Sequence, residues 1–341
     1  MNADIIIFPA LGWQFEINPD ALIIGTFAVK WYAICIALGA ILACLYCFPR
    51  IRKNGLDDDK AFDCTFWGFI GGIIGARLYY VIMTIGVIDW TFVKIINIRE
   101  GGLAIYGGII GAVAAAYIAG KIRKIRFIPL LDIAASGFFI GQCLGRWGNF
   151  FNHEAFGSNT SLPWGMTSGR IQSYIAQNAA MLVDKTGIYV NSTLPVHPTF
   201  LYESLWCLAG FLLLHFLYNR RKFDGECILF YAAWYGTGRA FFESLRTDSL
   251  MIGFFRVSQV LALVTAVAAF ALIIIFHIRA VKNGVHLYKD SEEAKIETAR
   301  AAERAEEISK RKAAKIAKEE ILTDEQKIVD SDNDENEEND K

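Results

Sequence analysis

Charge is scarce through most of this chain and is crowded beyond about residue 286. Of its 341 residues, 54% are hydrophobic, and the mean hydropathy is +0.33. So apolar a body cannot be sheathed in water by so few charges, which points to an integral membrane protein. A net charge of −1 selects no partner, because the charges are so unevenly spread. No nucleic-acid partner is expected. A disulfide or metal-ligand framework is also missing: the seven cysteines nearly all lie inside apolar runs and read as small buried hydrophobes. Cys44 and Cys47 have CxxC spacing, but on a predicted helix and without a second pair. No HxxxH or HxxE pattern involves His153 or His197, so neither a metal nor another cofactor is expected. The opening residues lack a basic stretch before a short apolar core, so no cleavable signal peptide is expected.

What is present is a series of long apolar runs. Residues 1–20 are mixed and read as a short segment on the membrane surface. The run 21–48 is broken by Lys30-Trp31-Tyr32, a lysine beside two aromatics that suits an interface anchor. The first span therefore starts near Trp31 and ends at Arg50-Ile51-Arg52-Lys53, with 21–29 at the interface or leading into the helix. Further spans are expected at 62–86, 103–120, 127–144, 198–218 and 257–278. The run 227–238 crosses only if its helix continues through Arg239 and Glu243, since a bilayer needs about 20 apolar residues. Basic clusters at 50–53, 121–126, 220–222 and beyond Arg279 fall in alternate loops. Positive-inside logic puts them in the cytoplasm, the N-terminus outside and the C-terminus inside. Seven spans satisfy that alternation; six do not.

The expected fold is thus all-α and polytopic, with seven transmembrane helices. A membrane domain, 1–285, includes an extracytoplasmic segment at about 146–196. A charged cytoplasmic tail, 286–341, is partly helical or disordered, and its isoleucines at 296, 308, 316 and 321 are too sparse for a coiled-coil seam. Glycines at four-residue spacing, Gly71/Gly75, Gly107/Gly111 and Gly137/Gly141/Gly145, suit close helix packing in lipid. Gly-Gly-Ile-Ile-Gly-Ala occurs at both 71–76 and 107–112. Shared packing chemistry explains this better than an inverted repeat.

The chain is organised around Gly145-Arg146-Trp147-Gly148-Asn149-Phe150-Phe151-Asn152-His153-Glu154-Ala155-Phe156-Gly157. An arginine beside asparagines suits an oxyanion, because the guanidinium fork matches phosphate geometry. The alternative is a helix-ending loop whose arginine snorkels to headgroups. Topology adds weight to the first reading. Tyr32, Tyr106 and the segment 197–203 begin inward spans, while Arg77, Arg146 with Asn149, and Arg239 with Glu243 lie toward the ends of outward ones. Apart from Lys30 at the interface, Asp132 alone falls in the other half, where it reads as a structural hydrogen-bonder. Arg239 and Glu243 are one helical turn apart and can pair, either in a site or as a structural ion pair. Arg77 can bind substrate or hold carbonyls between helices. Arginines at outer-leaflet depth would bind the phosphate of a phospholipid headgroup and offset its charge as it leaves. The same field would activate an acceptor thiol.

These motifs, together with Lys30-Trp31-Tyr32, Gly75-Ala76-Arg77, residues 101–108, His197–Glu203 and Gly238-Arg239-Ala240-Phe241-Phe242-Glu243, resemble the bacterial prolipoprotein diacylglyceryl transferase family. They occur in the family's order and cover residues 20–280. The resemblance implies a seven-helix enzyme of the bacterial cytoplasmic membrane with its site facing the outer leaflet. It would move the diacylglyceryl group of phosphatidylglycerol to the lipobox cysteine thiol of a prolipoprotein, leaving a thioether and glycerol 1-phosphate. That is the first step of bacterial lipoprotein maturation. Arg146 and Arg239 correspond to essential headgroup-binding arginines, and Tyr32, Asn149, Gly157 and Glu243 to other site positions. Glu203 and Asp132 also match family positions. The resulting catalytic set is Arg146, Arg239, Tyr106 and Glu243. The lipid-binding set is Arg146, Arg239, Asn149, Tyr32, Gly157, Arg77 and Glu203. Tyr106 departs from a histidine that some members carry as a proposed general base. A phenol of pKa about 10 is a poor base at neutral pH but can position the lipid. The alternative function is a transporter or flippase of an anionic lipid. A scaffold working through its tail would leave the intramembrane arginines unexplained.

Overall fold

The seven apolar runs become α1 (Trp31–Lys53), α2 (Asp58–Met83), α4 (Ile105–Arg123), α5 (Phe127–Asn152), α7 (Thr199–Leu217), α8 (Glu226–Glu243) and α9 (Val257–Asn283) in a computed structural model. It describes residues 3–25, 27–98, 101–186, 189–246, 251–252, 255–311 and 313–314. A short helix α3 (Phe92–Ile96) follows α2, and α6 (Gly169–Thr186) lies between α5 and α7. Six described helices are long and apolar enough to cross a membrane. In the most apolar stretches of α1 and α2 only 11% of residues are buried within the protein. Leu45, Phe69 and Ile118 point outward. Apolar surface on that scale is a lipid-facing surface, and the protein is a multi-pass membrane protein.

Successive helices run antiparallel, so the starts of α1, α4, α7 and α9 gather at one end with the ends of α2, α5 and α8. Small residues set the pairing. A Cβ on Gly111 would collide with the Gly71 carbonyl, and one on Gly107 with the Gly75 carbonyl. The two copies of Gly-Gly-Ile-Ile-Gly-Ala therefore pack on each other across α2 and α4. On α5, Gly137 meets Cys47 and Ala43, and Gly141 takes the close approach of Gly39. Gly145 meets nothing; Gly148 faces α1 instead, with the Tyr32 ring lying where its Cβ would be. The expected close-packing role of Gly145 thus passes to Gly148.

At the opposite end Asp132 is fully buried in α5. It accepts the Gly225 and Ile228 amides at 2.7 and 3.0 Å, capping the start of α8 from a neighbouring helix. Asp57 caps α2 in the usual way, accepting from Asp59 and Lys60. The helical segment 292–311 docks at this same end. Before it, Tyr288 donates its amide to Asp224 at 2.8 Å and its hydroxyl to the Gly55 carbonyl at 3.1 Å. Ala294 is 1% exposed. The expectation for the tail beyond residue 314 lies outside the described residues.

Three strand pairs among the described residues depart from an all-helical reading. Residues 4–17 form an antiparallel hairpin, β1 (Asp4–Phe8) with β2 (Trp13–Ile17), rather than a mere surface segment. A second hairpin, β3 (Asp20–Ile24) with β4 (Phe27–Lys30), leads directly into α1. A third pair, β5 (Met251–Ile252) with β6 (Phe255–Arg256), joins α8 to α9. The first hairpin buries Ile6, Phe8 and Ile17 with Phe156, Met166, Ile171, Ile175 and Val196 in a core separate from that of the bundle. The polar stretch after α5 is therefore a folded head. It begins later than expected, because α5 continues as helix through Asn152.

Candidate active site

Arg146 sits on α5, two turns before its end, and not in a loop. Glu203 sits in the first turns of α7, and Arg239 with Glu243 in the last turns of α8. The helix ends bring all four together. Arg146 Nη2 lies 2.7 Å from Glu203 Oε2, and Arg239 Nη1 lies 3.5 Å from the same oxygen. Arg239 Nη2 reaches Glu243 Oε2 at 2.6 Å. Glu203 and Glu243 are 4% and 1% exposed. The guanidinium groups keep more access, with side chains 18% and 20% exposed.

Sequence reasoning missed two further arginines. Arg246 Nη1 lies 3.8 Å from Glu203 Oε1, and Arg256 donates to the Glu243 carbonyl. Arg246 stands three positions past Glu243, near enough to have been noticed once α8 was carried to its end. Around Glu203 and Glu243, the guanidinium groups of Arg146, Arg239 and Arg246 lie against the two carboxylates, and that of Arg256 against the Glu243 carbonyl. Buried ions need partners. Arginines gathered in this way, with Arg146 and Arg239 keeping partial access to the outside, can receive an anion.

The remaining expected residues divide. Tyr32 opens α1 and is 37% exposed, its ring lying against Gly148. Trp31 stacks on Phe151 at 5.1 Å, holding the start of α1 to the end of α5. Asn149 is half-buried, one turn past Arg146, and among the described residues its side-chain amide has no hydrogen-bond partner. Asn149 lies one turn along α5 from Arg146, whereas Tyr32 packs on the Gly148 face that α5 presents to α1. Tyr106 does not touch the arginines; its hydroxyl lies 3.3 Å from Ser258 Oγ, linking α4 to the first turn of α9.

Two residues change role. Arg77 donates to five main-chain carbonyls, of Lys94, Ile95, Asn97, Gly101 and Gly102, at 2.6–2.9 Å. All five guanidinium N–H groups are thereby taken. Arg77 thus holds the segment between α2 and α4 and has no donor left for a lipid. Gly157 donates its amide to the His197 carbonyl, while Ser158 donates to Leu245. A Cβ on Gly157 would lie 2.8 Å from His197 Cβ and 3.0 Å from the Leu245 carbonyl. Gly157 therefore permits the close approach that holds the head against the segment carrying Arg246, rather than lining the cluster itself.

Beside the site the head is pinned by Asp4, Ser168 and His153. His153 ends α5 in the left-handed region, φ 60°. Its Nδ1 lies 2.9 Å from Ser168 Oγ and 3.5 Å from Asp4 Oδ2. Burial pushes the His153 pKa below its ordinary value, only partly countered by Asp4. Burial acts to raise Asp4, but amide donation from Arg170 and Ile5, with His153 nearby, holds it below the usual carboxylate value.

The family model for prolipoprotein diacylglyceryl transferase matches residues 19–275. The phosphatidylglycerol–prolipoprotein diacylglyceryl transferase of Listeria welshimeri is 41% identical over 263 residues, covering 76% of this chain and 89% of the relative. That of Listeria innocua is 39% identical over 285 residues, covering 82% and 96%. Transferase 1 of Clostridium perfringens is 40% identical over 268 residues, covering 78% and 97%.

Proposed function

The chain belongs to the prolipoprotein diacylglyceryl transferase family, and from that membership we infer that it transfers the diacylglyceryl group of phosphatidylglycerol to a prolipoprotein. Every relative named above is a transferase, so the transporter reading is not carried forward. The observation that carries a mechanism is the Glu203-centred cluster, in which Arg146 and Arg239 share one carboxylate oxygen and both stay partly accessible.

A phosphodiester brings one negative charge, which suits the two accessible guanidinium groups. Its phosphate docks between Arg146 and Arg239, with the Asn149 amide as a further donor and Tyr32 at the mouth. Glu203 and Glu243 hold the arginines in place while the site is empty. The lipobox thiol releases its proton to water at the mouth of the site under the positive field, which favours thiolate. The sulfur then attacks the glycerol carbon bearing the phosphate. The carbon–oxygen bond breaks and its electron pair leaves with glycerol 1-phosphate, as the thioether forms. A phosphodiester carries one negative charge, whereas the departing monoester carries about 1.5 to 2. The arginines are therefore bound more strongly in the transition state than in the ground state, which is the condition for catalysis. Tyr106 positions lipid or helix rather than accepting a proton.

The continuity of α8 through Arg239 and Glu243 supports a seventh crossing. Alternating basic loops support an outer-leaflet site, an external N-terminus and a cytoplasmic tail from about 286, after a membrane domain of 1–285. The experiment is reconstitution with phosphatidylglycerol and a lipobox peptide. Arg146→Ala and Arg239→Ala are each expected to lower turnover about 10²–10³-fold, the scale for removing one preorganised charge-stabilising donor. Full activity in both rejects the cradle.

A further inference from the structure

Arg239 on α8 meets Glu203 on α7 only if the two helices hold one axial register. Two tryptophans outside the site join the same two helices. Trp206 lies one helical turn past Glu203, and Trp234 somewhat more than a turn before Arg239. Their indoles stack with centroids 4.3 Å apart and planes at 17°. Each indole N–H donates to the main-chain carbonyl of the other: Trp206 to Trp234 at 3.0 Å, Trp234 to Trp206 at 2.9 Å.

A helical carbonyl already accepts from the amide four residues on, and a side chain at that position crowds it. Here those positions are Gly210 and Gly238. A Cβ on Gly210 would lie 2.6 Å from Trp234 Cδ1, and one on Gly238 would collide with Trp206 Nε1. Trp-x-x-x-Gly thus occurs twice, on antiparallel neighbours, and the two copies interlock reciprocally. Gly238 is bonded directly to Arg239. Phe242, on the same helix, lies edge-on to Trp206 at 6.1 Å. A buried indole N–H needs an acceptor, and no water competes for it in lipid. Sliding α8 by one residue moves it about 1.5 Å. That shift would break both hydrogen bonds and drive the indoles into neighbouring side chains.

We propose that Trp206 and Trp234 are positioning residues of the transferase centre: a reciprocal clasp, seated on Gly210 and Gly238, that sets α7 against α8 and so the spacing of Arg239 from Glu203. The proposal rests on reading the arginine cluster as a phosphate cradle. A misplacement of about 1 Å in such a site can cost about 10²-fold in rate.

The test uses the full-length protein in nanodiscs containing phosphatidylglycerol, with a lipobox peptide as acceptor. Trp206→Phe and Trp234→Phe keep an aromatic stack and remove one donor each; Gly238→Ala displaces the indole from the other side. Each is expected to lower kcat about tenfold with KM for phosphatidylglycerol within about twofold, the pattern of an interaction made in the transition state. The thermal unfolding midpoint stays near that of the parent. The double Phe variant falls little below either single one, because either broken arm releases the register. Turnover within about twofold of the parent in every folded variant overturns the clasp. So does a loss that merely tracks the folded fraction, which makes the pair a stability element. Arg146→Ala and Arg239→Ala run alongside. Activity retained in those two rejects the cradle; activity lost there but kept in the Trp variants rejects the clasp alone.

Discussion

Arg77 and Arg146 look alike in the sequence, each an arginine near the same end of an apolar helix beside glycine. Their surroundings separate them. Arg146 reaches a carboxylate that it shares with Arg239 and Arg246. Arg77 reaches only carbonyls, with the Trp90 and Tyr80 rings beside it. Lysine in place of Arg77 would bring three donors instead of five, leaving two buried carbonyls unpaired. At about 1–3 kcal/mol for each, the loss is about 2–6 kcal/mol of stability. Arg77→Lys is therefore expected to lower the unfolding midpoint while KM for phosphatidylglycerol stays within about twofold. A raised KM at unchanged stability would return Arg77 to the lipid site. No local pattern separates the two roles, because the carbonyls around Arg77 come from residues 94–102, seventeen or more positions away.

At the scale of elements, the helices and their packing faces were legible, since a 20-residue apolar run and a four-residue glycine spacing are local facts. Spacing marks Gly71/Gly75 and Gly107/Gly111 as packing faces; that they pack on each other is seen only in the structure. The continuation of α5 past Gly145 did not, because its glycines suggested a turn where a helix needed room for Tyr32. The first hairpin was missed for another reason: its stability comes from distant partners. Ile7 exchanges two backbone hydrogen bonds with Thr167, and Asp4 accepts the Arg170 amide at the start of α6. His153 joins them through Ser168. Its folded-state pKa lies below the ordinary value near 6.5, so the unfolded chain takes up the proton first. Stability from this junction is then complete above about pH 6.5 and is lost as pH falls toward the folded-state pKa. Asp4 acts lower down, where its own carboxylate protonates, and Arg170 adds a repelling charge throughout. Hydrogen exchange in residues 4–17 and 167–183 is expected to quicken from pH 7.5 to 5 after correction for intrinsic rates. His153→Gln, which keeps a hydrogen-bonding group without the titration, should flatten that change. Equal protection at both pH values in the parent would exclude His153 as the cause.

Across the whole molecule, the arginine cluster and the docked tail lie at opposite ends of α5. At about 1.5 Å per residue, Asp132 and Arg146 are about 21 Å apart along that helix. The family match stops at residue 275, before the tail begins. The charge pattern beyond residue 286 reads as a solvated extension, and the docking of its first part was illegible because its partners belong to three separate turns. Tyr288 reaches Gly55 and Asp224, Glu293 pairs with Arg126 at 2.8 Å, and Arg304 reaches Asp57 at 3.2 Å. The exposed ion pairs contribute little, about 0–1 kcal/mol each. Burial of Leu287 contributes more, about 1.5–3 kcal/mol. The tail thus ties together the turns after α1, α4 and α7 without touching the chemistry. Removing residues 315–341 should leave both melting and turnover unchanged. Removing 287–341 should lower the unfolding midpoint by several degrees while kcat, per folded molecule, stays within about twofold, because no residue of the cluster loses a contact. The decisive comparison is kcat at a temperature where both forms are fully folded. A drop confined to the shorter form there would mean that the tail end is coupled to the arginine cluster through α5, α7 or α8, and that the tail does more than brace the turns it touches.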